Sequence, residues 1–249
     1  VCIILMAVLT AIYVIAGGYM ATAINDFIQG IIMLFGIATV IAAVLNSKGG
    51  FMAALDGLAK VSDPAVTDTP GIFASFFGPD PLNLLFVVIL TSLGTWGLPQ
   101  MVQKFYAIKD EKSIKKGTII STIFALVVAG GSYFLGGFGR LFSDEIDVAA
   151  NGYDSIIPTM LSGLSPMLIA LVVILVLSAS MSTLSSLVIA SSSTLTIDFL
   201  KDNFIKDMSD KKQVLSIRIL VVVFIAISSI LALIQYKSSI TFIAQLMGV

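Results

Sequence analysis

The stretch LNLLFVVILTSLGTWGLPQMVQKFYAIKD, Leu82 to Asp110, starts as an apolar helix and then loses the means to stay one. Gly94, Gly97 and Pro99 fall where the apolar run should be deepest. Proline withdraws a backbone donor and collides with the preceding turn, and glycine makes departure from helical angles cheap. Together they predict an unwound segment near Thr95–Leu98. In lipid, irregular backbone is tolerated only where protein surrounds it or where it lines a cavity. Thr91, Ser92, Thr95 and Trp96 are thereby candidate binding residues, Trp96 being the sole tryptophan. A merely kinked structural helix would use the same residues, so the break alone leaves both readings open.

The rest of the chain supports a membrane setting. Its 249 residues are 57% hydrophobic and 12% charged, with mean hydropathy +1.04, whereas soluble domains run near a quarter charged. Six spans are expected at Val1–Ala16, Phe27–Leu45, Leu82–Val102, Gly117–Phe138, Leu164–Ile197 and Val214–Ile234, with part of a seventh from Ile240. The spans do not alternate polar and apolar residues, which argues for helices over a barrel. The expected fold is an all-α polytopic transmembrane helix bundle with one broken span. The apolar ends suggest a fragment of a longer protein.

Charge placement tests this count. Ten of the 14 basic residues lie in two clusters, Lys104–Lys116 and Lys201–Arg218. Two spans separate the clusters, so they share a side, and the positive-inside tendency makes loops 103–116 and 198–213 cytoplasmic. The segments 46–81 and 139–163 carry eight acids and three bases and belong outside. The stretch GGFMAALDGLAKV within the first is expected to form a short surface helix. No histidine is present and Cys2 is the only cysteine. A histidine triad and a His-ligated zinc site are excluded within these residues, and an enzyme is not expected. No basic patch with interleaved aromatics suggests nucleic acid, and no organic cofactor is implied.

A second stretch, LSASMSTLSSLVIASSST (Leu177–Thr194), carries ten hydroxyls in 18 residues and no charge. At about 100° per residue, Ala179, Ser182, Thr183, Ser186, Ala190 and Ser193 share a face, flanked by Ser185. Small residues and hydroxyls at this spacing suit close helix packing. They also suit a sodium ion, a hard cation that takes uncharged oxygens. No acid lies at the centre of any expected span, where a charge would cost about 2.5–3.5 kcal/mol, so a carboxylate proton relay finds no candidate.

Three stretches in order resemble the sodium:solute symporter family: GGYMATAINDFIQGIIMLFGI (Gly17–Ile37), GTWGLPQMVQKFYAIKD (Gly94–Asp110) and LSASMSTLSSLVIASSSTLTIDFL (Leu177–Leu200). The resemblance implies a LeuT-type fold within a single transporter domain. Residues 1–45 would end the first inverted repeat, 46–81 form an extracellular loop, and 82–249 supply most of the second repeat. It implies a principal sodium site formed here by Ala179, Ser182 and Thr183, completed by carbonyls of a broken helix that this chain does not contain. It further implies a possible second sodium at Asp26, Ser182, Ser185 and Ser186, although Asp26 would equally serve as a cap at a cytoplasmic helix start. Related carriers take proline, pantothenate, monocarboxylates, sugars or sialic acids. Some proline and sugar carriers have aromatic residues at the positions matching Thr91 and Thr95, so the small hydroxyls here speak against copying either specificity.

The expected function is sodium-coupled symport of a small organic solute across the cell membrane by alternating access. The partners are the solute, sodium and the bilayer. A proton-coupled permease of similar fold and a non-transporting structural subunit are the alternatives.

Overall fold

The structure is a computed structural model that describes residues 2–64, 66–94, 97–106, 108–146, 152 and 155–234. Helices dominate: α1 Cys2–Ser47, α2 Phe51–Lys60, α3 Pro81–Leu93, α4 Pro99–Tyr106, α5 Glu111–Gly137, α6 Ile156–Ser162, α7 Pro166–Thr194 and α8 Asp210–Ile234. Short 3-10 turns follow at Ile72–Ala74 and Phe138–Glu145, and a π-helical segment, Leu195–Lys201, prolongs α7. The sole β feature among the described residues is an isolated bridge between Asp63 and Thr67. Four of the helical runs are long and apolar enough to cross a membrane, and α3 is a shorter apolar helix. This is an all-α membrane helix bundle.

The spans expected at Val1–Ala16 and Phe27–Leu45 are one helical run, α1, interrupted at Gly18. Its 46 residues measure about 69 Å at 1.5 Å per residue, enough to cross a hydrocarbon core of about 30 Å twice. Gly18 adopts φ 56° and ψ −149°, a region essentially reserved for glycine. A Cβ at Gly17 would collide with that of Ala21. Two consecutive residues thus have to lack side chains where the helix breaks.

The broken span is also present. Helix α3 ends at Leu93 and α4 starts at Pro99, the position where a missing N–H costs nothing. Thr95 and Trp96 lie outside the described residues, as does the partial seventh span. Asp80 caps α3 by accepting from Asn83 N–H at 3.0 Å. Asp110 caps α5, accepting from Ser113 N–H at 2.7 Å, which places the start of α5 six residues before the span expected from Gly117. That hydrogen bond holds the Asp110 carboxyl below its usual range. The folded value is lowered, so the cap's contribution is complete above the unfolded pKa of about 4. It is lost as pH falls through the folded value.

The chain forms two compact bodies. One comprises residues 1–33, 99–107 and 173–236; the other comprises 34–98, 108–172 and 237–249. In the first, Ala7 and Val14 of α1, Val188 of α7, and Val221 and Ile225 of α8 make a buried cluster. Tyr13 donates its hydroxyl to Met181 O at 3.2 Å, tying α1 to α7. Lipid is as apolar as these side chains, so close packing and hydrogen bonds hold the helices together, with little help from a hydrophobic drive.

In the second body, Ile37, Val40 and Val44 form the buried face of α1. A Cβ at Gly131 of α5 would stand 3.2 Å from side-chain atoms of Ile37 and Ile41. Glycine there permits the close approach. The expected surface helix, α2, packs Ala54 and Leu58 on Phe138. Lys48 bonds Leu141 O at 3.3 Å and lies 3.8 Å above the Phe142 ring. Arg140 donates to Asp63 Oδ2 at 2.8 Å while its guanidinium covers the Phe73 ring at 4.1 Å.

Both Arg140 and Asp63 side chains are about a third exposed, at 39% and 34%, so their pairing contributes at most about 1 kcal/mol. A double-mutant cycle with Arg140→Gln and Asp63→Asn, read by thermal unfolding in detergent, is expected to give a coupling of that size. The coupling should shrink in high salt. A salt-independent coupling several-fold larger would contradict this account.

Candidate functional site

The serine-rich segment occupies the second half of α7 and runs into the π-helical turn. No proline interrupts it after Pro166, and no charge appears before Asp198. Its hydroxyls therefore compete with the backbone for partners inside the helix. Thr183 Oγ1 donates to Ala179 O at 3.0 Å. Two of the three expected ligands are thus held side by side, one a carbonyl with a spare lone pair and the other a hydroxyl oxygen. Ser182 lies on the turn between them. Ser185 Oγ donates to Ser182 O at 3.0 Å.

The burial pattern corrects the expected face. The residues that pack inward on α7 are Ser178, Ser185, Val188, Ala190 and Ser192, with Thr196 following in the π segment. Ser182 and Ser186 are half-buried, and Thr183 is exposed. The helix presents two polar faces. Ser178, Ser185 and Ser192 recur every seven residues and turn toward the neighbours within this chain. Ala179, Ser182 and Thr183 border a face those neighbours leave uncovered. The heptad spacing of the three serines was present in the sequence and is the signal that would have separated the two faces.

Asp26 lies in the same body, half-buried on α1. Thr22 and Gln29, one turn to either side, are buried at 4% and 6% exposure, so this face of α1 is polar and enclosed. Several of its groups lack a hydrogen-bond partner among the described residues: Asn25 Nδ2 and Gln29 Oε1 here, Thr10 Oγ1 on the first arm, and Ser192 Oγ and Thr196 Oγ1 on α7 and its π extension. A buried polar atom left unpaired costs about 1–3 kcal/mol. The first body therefore has enclosed oxygens suited to water or a cation, and the sequence reading singled out none of these five. Asp198, which closes the serine-rich motif, is exposed and lines a cavity of about 650 Å³ with Ser191 and Thr194.

The solute candidates lie in the second body. Thr91 Oγ1 donates to Val87 O at 2.8 Å, and Thr91 and Ser92 are both exposed on the last turn of α3. They sit immediately before the helix break. Among the described residues no group of three or more Cys, Asp or Glu is placed to hold a metal. Any cation in the first body would rest on carbonyl and hydroxyl oxygens with at most Asp26 as a charged ligand.

Comparison with known proteins points the same way. The profile of the Sodium:solute symporter family matches residues 1–248. The chain is 30% identical over 208 residues to the sodium/pantothenate symporter of Haemophilus influenzae, covering 82% of this chain and 40% of that protein. It is 30% identical over 240 residues to a sodium/proline symporter of Staphylococcus aureus, covering 92% and 43%. It is 28% identical over 221 residues to the high-affinity proline transporter PutP of Bacillus subtilis, covering 88% and 45%. The chain spans less than half the length of these relatives. No solved structure matches it at a significant level.

Proposed function

Because the chain belongs to the sodium:solute symporter family, we propose that the full-length protein couples the inward movement of sodium to uptake of a small organic solute. The observation that carries this reading is the pairing of the Ala179 carbonyl with the Thr183 hydroxyl beside Ser182, on a helix without charge. Sodium is cargo here, taken up and released once per cycle. It would bind Ala179 O, Ser182 Oγ and Thr183 Oγ1 on the uncovered face of α7, with further oxygens supplied by residues outside this chain. Binding would join α7 to that other element and favour an outward-open state. One charge crossing 100 mV supplies about 2.3 kcal/mol, which is the drive available to accumulate solute per ion.

The inverted-repeat division at residues 1–45 and 82–249, with 46–81 outside, belongs to this reading. So does the cytoplasmic placement of loops 103–116 and 198–213. Asp26 with Ser182, Ser185 and Ser186 would hold a second sodium on the release route. The enclosed polar face around Thr22 and Gln29 supports a hydrated or ion-bearing position there. Solute would bind beside the break, at Thr91, Ser92, Thr95 and Trp96. The matched relatives are named for pantothenate and proline, so these are the first solutes to try.

The deciding measurement is uptake by the purified full-length protein in liposomes, with an inward sodium gradient against an equal potassium gradient. Sodium is expected to raise initial uptake of the correct solute at least ten-fold. Uptake driven equally by a pH gradient in sodium-free buffer would transfer the assignment to a proton-coupled permease. No gradient-dependent uptake or sodium-dependent binding of any organic acid, amino acid or sugar would leave a structural subunit.

A further inference from the structure

We propose that the cavity beside the Gly17–Gly18 break binds the headgroup of an anionic phospholipid from the cytoplasmic leaflet, with Arg218 as its phosphate ligand. The cavity measures about 290 Å³ and is enclosed within the first body by α1, α7 and α8. Its walls are largely apolar, including Val14, Ile217 and Val221, and its polar groups include Tyr19, Ser193 and Arg218.

The position of Arg218 is the reason to expect an anion. Val214, Ile217, Arg218 and Val221 all line the cavity and follow the i, i+3, i+4, i+7 spacing of one helix face. The arginine therefore stands on the face that α8 turns to its neighbours. It lies eight residues beyond Asp210, about 12 Å along the helix, past the lysines that open it. A cation at that depth needs a counter-charge or a route to the headgroup layer. The ion pairs among the described residues join Lys48 to Glu145 and Arg140 to Asp63; none reaches Arg218. Basic pockets between transmembrane helices at the cytoplasmic surface take anionic lipid headgroups. A guanidinium matches a phosphate with two parallel donors, and Ser193 adds a hydroxyl. The apolar walls select a lipid over free phosphate, because they give an acyl chain a bed that a soluble anion cannot use.

The leaflet assignment rests on the sidedness proposed above; the site itself rests on the cavity. The test is made on purified full-length protein in neutral detergent, where neither sidedness nor transport enters, so its failure leaves the symport reading in place. Bound dioleoyl phosphatidylglycerol and dioleoyl phosphatidylcholine are compared by native mass spectrometry. Wild type is expected to prefer phosphatidylglycerol at least five-fold. Arg218→Gln should abolish that preference, Arg218→Lys should keep part of it, and Lys60→Gln should keep all of it. Val214→Trp, which fills the cavity and spares the charge, should also abolish it and decides the matter if Arg218→Gln does not fold. Glycerol 3-phosphate at the same concentration should not compete. Equal binding of the two lipids by wild type, an unchanged preference in folded Arg218→Gln, or full competition by glycerol 3-phosphate would overturn the proposal.

Discussion

Replacing Thr183 by alanine in the full-length protein is expected to raise the sodium concentration for half-maximal uptake at least ten-fold, with solute affinity at saturating sodium changed far less. Thr183 Oγ1 already leans on Ala179 O at 3.0 Å, so the substitution removes one expected ligand and the contact that keeps it beside another. Loss of a single hydrogen-bonding oxygen to a charged partner is worth about 1.5–3 kcal/mol, or roughly ten- to a hundred-fold in affinity. Thr183 is exposed within this chain, so the alanine variant should fold normally. That separates an ion role from a packing role. Ser182→Ala should act in the same direction. Ser185→Ala serves as the contrast: Ser185 is fully buried and donates to Ser182 O, so its loss should lower thermal stability as well. Sodium dependence indistinguishable from wild type in well-folded Thr183→Ala and Ser182→Ala would remove the basis for placing the ion on α7.

The second large effect is expected at the break in α1. Gly18→Ala should lower stability by about 1–3 kcal/mol, because φ 56° with ψ −149° is strained for any residue with a Cβ. Gly17→Ala meets a steric obstacle instead, the Ala21 methyl, and should cost at least as much. Gly136→Ala is the control. Nothing lies within 4 Å of a Cβ built there, and glycine inside a helix is itself unfavourable relative to alanine. Unfolding midpoints of the full-length protein in detergent should fall by several degrees for the first two variants and hold or rise for the third. A Gly18→Ala protein as stable as wild type would mean that the chain does not reverse its helical path through that conformation.

The helices and the broken span were legible because their signals are local. Apolar length fixes a span, and the grouping of Gly94, Gly97 and Pro99 announces a break whatever surrounds it. Boundaries were less so: Asp110 starts α5 well ahead of the apolar run because a cap acts through one hydrogen bond, and hydropathy is blind to it. The serine-rich helix was identifiable as a site, but its orientation was not. Small residues on both faces of α7 give no apolar gradient to say which one packs inward, and that choice was made by Val14, Val188 and Val221 meeting across three helices. Asn25, Gln29 and Thr10 went unremarked for a related reason. A single polar residue in an apolar run looks the same whether it faces a partner or a void.

The π-helical turn at Leu195–Lys201 has a consequence for how this helix tolerates change in length. A turn closed by i→i+5 bonds holds one residue more than an α turn needs. Deleting one residue there would let the segment relax to ordinary α winding and swing everything beyond it by about 100°. The oxygens from Ala179 to Ser186 would not move, whereas Asp202 and the lysines after it would point elsewhere. The chain thus carries a splice point at which its cytoplasm-directed end can be re-aimed while the ion-facing half stays fixed.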